Sequence, residues 1–375
     1  MAVFASLLLN AALAALLLAD AAPVFLHWIR RIHIGRWSSA EAWQEKVFRQ
    51  TLLQWKRLPA IPISDQNHLT LLKRLCGQYS SPALQFWHGA ALQASLGLPP
   101  RQKECPEKIA AFSSVSAGVY ANARLLFDGP PDENGWLSVF AQSLLNRAGA
   151  GTLPYAENIC DLRLVDSLWM VCPFLFRYAA HSGDARYAAL SKRQLAEYLA
   201  RGIHPETGLP VHSFAEANAA PLGVYGWGRG CGFLLLALSE SLEAAGDPAD
   251  RAWLRERAIE AAQTMLRYQT EGGGWSHLFL ASNRPESSAT ALLGTALAIL
   301  VQELPEEQHE SAALFLQRAK AARDCLMRMT RRSGAVDFAQ GDTHGIGQYS
   351  TRFEPLPLAQ AYTHRLAQIL GKIAI

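Results

Sequence analysis

From about residue 40 to the C-terminus, apolar residues recur at the three-and-four spacing that lines one face of a helix, while the alternation of a half-buried strand is scarce. About twelve helical stretches follow from this pattern, near 41–57, 68–79, 82–96, 106–127, 135–147, 161–180, 185–201, 229–245, 250–269, 286–303, 307–330 and 356–371. The breaks carry residues that end helices: Asp128-Gly-Pro-Pro131, Ser182-Gly-Asp184, Ala245-Gly-Asp-Pro248 and Leu304-Pro305.

A weak repeat lies over this periodicity. Four times the chain leaves a long helix through a glycine and a short segment holding an aromatic, a histidine or an acid, and then starts another apolar helix. The segments are Gly151-Thr-Leu-Pro-Tyr155, Gly208-Leu-Pro-Val-His212, Gly274-Trp-Ser-His277 and Gly334-Ala-Val-Asp337-Phe338. Their spacing of about sixty residues suits one helical hairpin with its loops. Stacked hairpins gather such loops on one face, whether the array stays open or closes. Twelve helices with one rich loop face predict an all-α fold, an (α/α)6 barrel of six helical hairpins in a closed toroid, with a site at its mouth.

The N-terminus changes the picture locally. Ala2 to Leu18 is nearly all Ala, Leu, Val and Phe, and is followed by Val24-Phe-Leu-His-Trp-Ile29 and Arg30-Arg31. That length suits an apolar anchor helix with Trp28 and the arginines at an interface. The rival is a secretory signal ending at Ala19-Asp20-Ala21, although no Lys or Arg precedes the apolar run. The expected organisation is therefore an apolar segment over 1–35, membrane-associated through 2–29, and a barrel domain over 36–375. The positive-inside tendency would put the body on the cytoplasmic face of a bacterial inner membrane.

Composition mainly excludes. A 375-residue chain that is 50% hydrophobic can bury a large core, and a net charge of +3 with scattered Lys and Arg does not describe a nucleic-acid groove. The six cysteines, Cys76, Cys105, Cys160, Cys172, Cys231 and Cys325, lack C-x-x-C spacing, which removes the usual zinc and redox readings. No His and carboxylate cluster has metal-ligand spacing, and no phosphate-cradling loop precedes a strand, so neither a metal nor a cofactor is expected.

The candidate chemistry centres on Asp166, a carboxylate near the start of an apolar helix among Leu164, Val165, Leu168, Trp169 and Met170. Desolvation there disfavours the charged form and raises the pKa, which is how a general acid is made. A helix-dipole role is the plainer alternative for an Asp in a first turn. Tyr225-Gly-Trp-Gly-Arg-Gly-Cys-Gly-Phe233 adds a stacking face at Trp227 and a carboxylate-binding fork at Arg229, with glycines that admit close approach. His212 and His277 occupy matching repeat loops, and His212 is expected on the loop face rather than in the core. Ser287, in Glu286-Ser-Ser-Ala-Thr290, opens a helix where an anion could bind or a side chain could cap. Asp342 and His344, in Gln340-Gly-Asp-Thr-His-Gly345, complete the polar set.

Taken in order, Leu164-Val-Asp166-Ser-Leu-Trp-Met170-Val-Cys-Pro173-Phe-Leu175, Gly183-Asp184 with Tyr187, Thr207-Gly208-Leu209 with His212, Trp227-Gly-Arg229-Gly-Cys-Gly232 and Glu286-Ser-Ser-Ala-Thr290 resemble the unsaturated uronyl hydrolases. These are glycoside hydrolase families 88 and 105, and the resemblance covers about residues 110–370. It implies an (α/α)6 barrel and a reaction in which an Asp protonates the C4–C5 double bond of a terminal unsaturated uronic acid. Water then adds at C5, and the hemiketal collapses to release the sugar. Asp166 matches the acid, while His212, Trp227 and Arg229 match substrate-contacting positions. Cys231 and Phe233 stand where the family usually has an Asn or Gln and a Trp, and serines replace a second Asp near Ser113-Ser-Val-Ser-Ala-Gly118. Three readings follow. One is a hydrolase acting on an acidic, unsaturated uronyl oligosaccharide; another is a membrane-tethered, catalytically silent relative that binds acidic polysaccharide or scaffolds polysaccharide-assembly proteins; the third is an (α/α) barrel with different sugar chemistry, such as an epimerase or a lyase.

Overall fold

The computed structural model describes residues 10–12, 14–15, 65–76, 86–97, 114–128, 135–282 and 284–373. Residues 1–61 and 331–333 cluster as one unit, and 62–330 with 334–375 as a second. In the first unit 10–12 and 14–15 are helical; the rest of the expected anchor, and the helix expected over 41–57, lie outside the described residues. No helix among the described residues is long and apolar enough to cross a membrane.

The second unit is mostly helical. Its helices are α1 (Asp65–Cys76), α2 (Phe86–Ser95), α3 (Ala117–Asp128), α4 (Trp136–Ala148), α5 (Val165–Ser182), α6 (Ala185–Arg201), α7 (Gly228–Ala244), α8 (Pro248–Leu266), α9 (Ser287–Glu303), α10 (His309–Met329) and α11 (Pro357–Ile373). Asp184 and Asp247 cap α6 and α8 by accepting backbone N–H groups of their first turns, and Pro248 fits the first position of α8. Burial sorts the helices into two kinds. In α5 every residue from Ser167 to Tyr178 is buried, in α7 every residue except Glu243, and in α9 every residue from Ser287 to Leu300. A helix apolar all round belongs inside, whereas α6 and α10 bury one stripe each and lie outside. The inner helices pack in series: α2 on α3, α3 on α5, α5 on α7, α7 on α9, α9 on α11 and α11 on α2. Against them lie α6 on α5, α8 on α7, α10 on α9 and α1 on α11.

Aromatic rings fill the space between the inner helices. Trp169 stacks on Phe233 at 5.3 Å and meets Tyr362 edge-on at 5.9 Å, while Phe233 also abuts Trp227 at 6.1 Å. Phe233 is thus a packed floor beneath Trp227. Cys172, Cys231 and Cys325 are buried free thiols, and Cys160 is exposed.

Short strands in the connections are the main departure from the helical expectation. Strand β1 (Leu162–Leu164) pairs antiparallel with β2 (Val211–Ala215), which pairs with β3 (Pro221–Tyr225). This pairing holds 162–164 extended and moves the start of the helix expected from 161 to Val165. Likewise β4 (Trp275–Ser276) pairs with β5 (Pro285–Glu286), which delays the next helix to Ser287, and β6 (Ala339–Gln340) pairs with β7 (Phe353–Glu354).

One buried histidine makes stability depend on acidity. His68 is 1% exposed, its Nε2 lies 2.9 Å from Thr330 Oγ1, and that hydroxyl donates to Leu326 O, so Nε2 is the donor. Burial lowers its pKa from 6.5 to about 4, with Asp65 opposing the shift and Arg323 adding to it. The unfolded chain therefore takes up this proton first as pH falls. The associated stability is full above about 6.5 and is lost on the way to about 4. A His68→Gln variant is expected to lose the part of the acid-induced drop in Tm that spans this window, on the order of 3 kcal/mol; identical Tm profiles in the two proteins would contradict this.

Candidate active site

The small sheet aims two of the expected site residues at each other. Strand β1 runs directly into α5 and puts Asp166 in its first turn, while β2 carries His212. Between Val211 and Ser213 the register with β3 shifts, so that Gly223 and Val224 together face His212. Such a bulge re-aims a side chain. Gly223 takes φ +85°, and a Cβ there would stand 2.7 Å from Tyr349 Oη and 2.9 Å from the His212 Cβ, so only glycine fits. His212 Nε2 consequently comes to 3.5 Å from Asp166 Oδ2.

Asp166 has the environment of a proton-holding acid. Its side chain is 15% exposed, yet Oδ2 is buried and accepts no hydrogen bond. Burial raises its pKa; His212, its own backbone N–H and the Arg229 guanidinium oppose the rise. His212 is moved the other way, to a lowered pKa, by burial and by Arg229, against the pull of Asp166. Burial thus works against the charged form of each partner, while the opposite charge of the other works for it.

Helix α7 begins beside this pair, with Trp227 as its N-cap and Arg229 in its first turn. Both are buried, as is His212, with Trp227 2% and His212 3% exposed. This corrects the expectation that His212 lies on an open loop face and that Trp227 offers a free stacking face. The Trp227 ring is bordered by His212 at 4.6 Å, Tyr349 at 5.3 Å, Phe233 and the Arg229 guanidinium, and its Nε1 donates to Gln340 Oε1 at 3.0 Å. Arg229 is committed as well. Its Nη1 donates to Gln340 O at 2.7 Å and its Nη2 to Gly341 O at 2.9 Å, so the fork expected for a carboxylate holds two backbone carbonyls and ties the 340–350 loop to α7.

Ser287 is fully buried with no hydrogen-bond partner for its hydroxyl. Of the two uses open to the α9 N-terminus, anion binding or capping, the structure shows capping: the carboxylate of Glu286 accepts from the N–H groups of Ser288, Ala289 and Gln340. His277 is half-buried, with its ring edge-on to Phe353 at 5.3 Å. His344 is exposed, and its backbone N–H closes a turn on Gln348 O. Asp342 is half-buried; its charge and that of Asp166 both raise the Tyr155 pKa, after burial. Tyr155 itself bonds Ser114, whose Oγ donates to Ser116 Oγ at 3.1 Å. Hydroxyls thus occupy the segment that has no second acid.

Three residues that hold the site together escaped the sequence reading: Tyr349, Gln340 and Glu286. Tyr349 reaches His212 across 137 positions, and Gln340 reaches Trp227 across 113. Glu286 carried a legible signal, an acid directly before Ser-Ser at a helix start. Among the described residues no group of three His, Cys, Asp or Glu is placed to hold a metal.

Asp166 and His212 thus form a desolvated carboxyl–imidazole pair in a mostly helical fold. The glycosyl hydrolase family 88 model matches residues 137–333, and the chain belongs to that family. The 24.9 kDa protein in picA locus of Rhizobium radiobacter is 30% identical over 139 residues, 34% of this chain. The match spans 59% of that relative's length. In fold the chain is similar to a possible member of the GH105 family from Salmonella enterica, with a TM-score of 0.68 at 16% identity over 85% of this chain and 97% of that one. It is also similar to the unsaturated glucuronyl hydrolase of Bacillus sp. GL1, responsible for the degradation of glycosaminoglycan, with a TM-score of 0.58 at 16% identity over 80% and 94%.

Proposed function

We propose that the protein hydrates the C4–C5 double bond of a terminal unsaturated uronic acid on an acidic oligosaccharide, with Asp166 as general acid and then base. The serial packing of the inner helices supports a closed (α/α)6 toroid with this site at its mouth. In the proposed reaction the Asp166 proton passes to C4, and C5 becomes an oxocarbenium ion. Water attacks C5, giving its proton back to Asp166. The resulting hemiketal opens as its C5–O5 bond breaks and its hydroxyl proton passes to O5; the hemiacetal left at C1 then collapses, the C1–leaving-oxygen bond breaking as the O5 proton passes to the leaving oxygen, and the shortened sugar departs. The observation that carries the reading is the raised pKa of Asp166, caused by burial, with His212 opposite Oδ2.

His212 is assigned the role of holding Asp166, and Trp227 and Arg229 that of framing the site and fixing the 340–350 loop. Asp342, His277 and His344 are candidates for contact with sugar hydroxyls at the rim. The test is the ultraviolet absorbance of the conjugated double bond in a panel of unsaturated uronyl disaccharides. Absorbance is expected to fall with the wild-type chain and to stay constant with Asp166→Asn; no loss across a broad panel would refute the proposal.

A further inference from the structure

Two donors converge on one nitrogen of His212. Tyr349 Oη lies 3.2 Å from Nδ1, and the Gly347 N–H points to the same Nδ1 at 3.4 Å. Tyr349 Oη in turn accepts the Val224 N–H at 3.1 Å, so its own proton is available for His212. Burial raises the Tyr349 pKa, which keeps that proton on the phenol. An N–H at Nδ1 would face the amide N–H of Gly347. The neutral imidazole must therefore accept at Nδ1 and carry its proton on Nε2, the nitrogen 3.5 Å from Asp166 Oδ2.

We propose that Tyr349 is a positioning residue for the reaction inferred above: the hydrogen bonds from Val224 N–H to Tyr349 Oη and from the Tyr349 hydroxyl to His212 Nδ1 set the imidazole tautomer that turns Nε2–H toward Asp166 Oδ2, 3.5 Å away, and this places the acid's proton on Asp166 Oδ1. Oδ2 is sealed from solvent with the His212 Nε2–H standing 3.5 Å away, so a proton there would meet that N–H and could not reach a sugar. Oδ1 is the oxygen left to deliver it. Tyr349 also touches Trp227 and His212 with its ring, so removing the hydroxyl alone leaves this packing in place. The bulge in β3 and the positive φ of Gly223 make room for the Tyr349 hydroxyl, which ties this local geometry to the same task.

The decisive readout is the tautomer of His212 in the substrate-free full chain, taken from nitrogen NMR of protein labelled at histidine, with the His212 signals assigned by their absence in His212→Gln and His212→Asn. The expected result is an acceptor-type Nδ1 and a protonated Nε2. A protonated Nδ1, or an imidazolium at neutral pH, overturns the proposal. This measurement needs no turnover, so it stands or falls separately from the hydration reading. In Tyr349→Phe the two tautomers are expected to mix and kcat to fall about tenfold with KM changed less than about twofold, the scale of one lost hydrogen bond. Unchanged tautomer and unchanged kcat in that variant would reduce Tyr349 to packing.

Discussion

Asp166→Asn is expected to abolish turnover and, at the same time, to raise the melting temperature. The first effect follows from removing the proton donor proposed for the reaction; loss of a general acid costs about a hundredfold to ten-thousandfold in rate. The second follows from linkage. Burial raises the native pKa of Asp166, so the unfolded chain gives up this proton at a lower pH than the folded one. Stability is then lost as pH rises from the ordinary carboxylate range through the native value. Asparagine has no charge to desolvate, and Tm at neutral pH should rise by about 2 °C for each kcal/mol recovered in a domain of this size. Thermal melts of the two proteins, followed at acid and neutral pH, check the sign: the difference should shrink on acidification. A variant that loses activity and also melts lower would point to a structural carboxylate.

Gly228→Ala is expected to be the most damaging single-methyl substitution around the site. A Cβ at Gly228 would stand 2.1 Å from Ser276 O and 3.0 Å from the Ala289 Cβ, and the first of these is backbone, which cannot swing aside. The strand contact between Trp227 and Leu278 and the 2.8 Å bond from Gly228 N–H to His277 O hold the chain there. Relief requires α7 to move away from β4, carrying Trp227 and Arg229 with it. The expected cost is about 3 kcal/mol, the upper part of the range for overpacking, together with loss of activity. Gly371→Ala, at an exposed position in the last turn of α11 with nothing within 4 Å of the added atom, is the matched control, expected to be neutral or to gain up to about 1 kcal/mol. Denaturant melts that ranked the two variants equally would show that the close approach to Ser276 is not rigid.

Helix positions were legible because burial writes itself into composition. The run from Ser287 to Leu300 is apolar or small on every side, and Asp184 and Asp247 mark helix starts by side chains that cap them. The grouping of Asp166 with His212, Trp227 and Arg229 was also within reach, since His212 lies in a repeat joint, Asp166 starts the helix after the preceding joint, Trp227 and Arg229 start the helix after that of His212, and such joints share a face. What each residue does there was less legible. Arg229 binds the carbonyls of Gln340 and Gly341, and a backbone carbonyl has no residue-type signature. Trp227 looked open because glycines flank it, yet those glycines admit protein rather than ligand. Tyr349 was invisible because its partner lies in another hairpin, and only the strand bulge opposite His212 brings the two together.

The most direct test of this account is a titration of the Asp166 carboxyl group, by carbon NMR of aspartate-labelled protein with Asp166→Asn to identify the signal. The account predicts a group that keeps its proton well above the pH at which exposed aspartates release theirs. An Asp166 that ionises in the ordinary carboxylate range near 4 would contradict it, because a site whose acid has already lost its proton has none to give to the sugar.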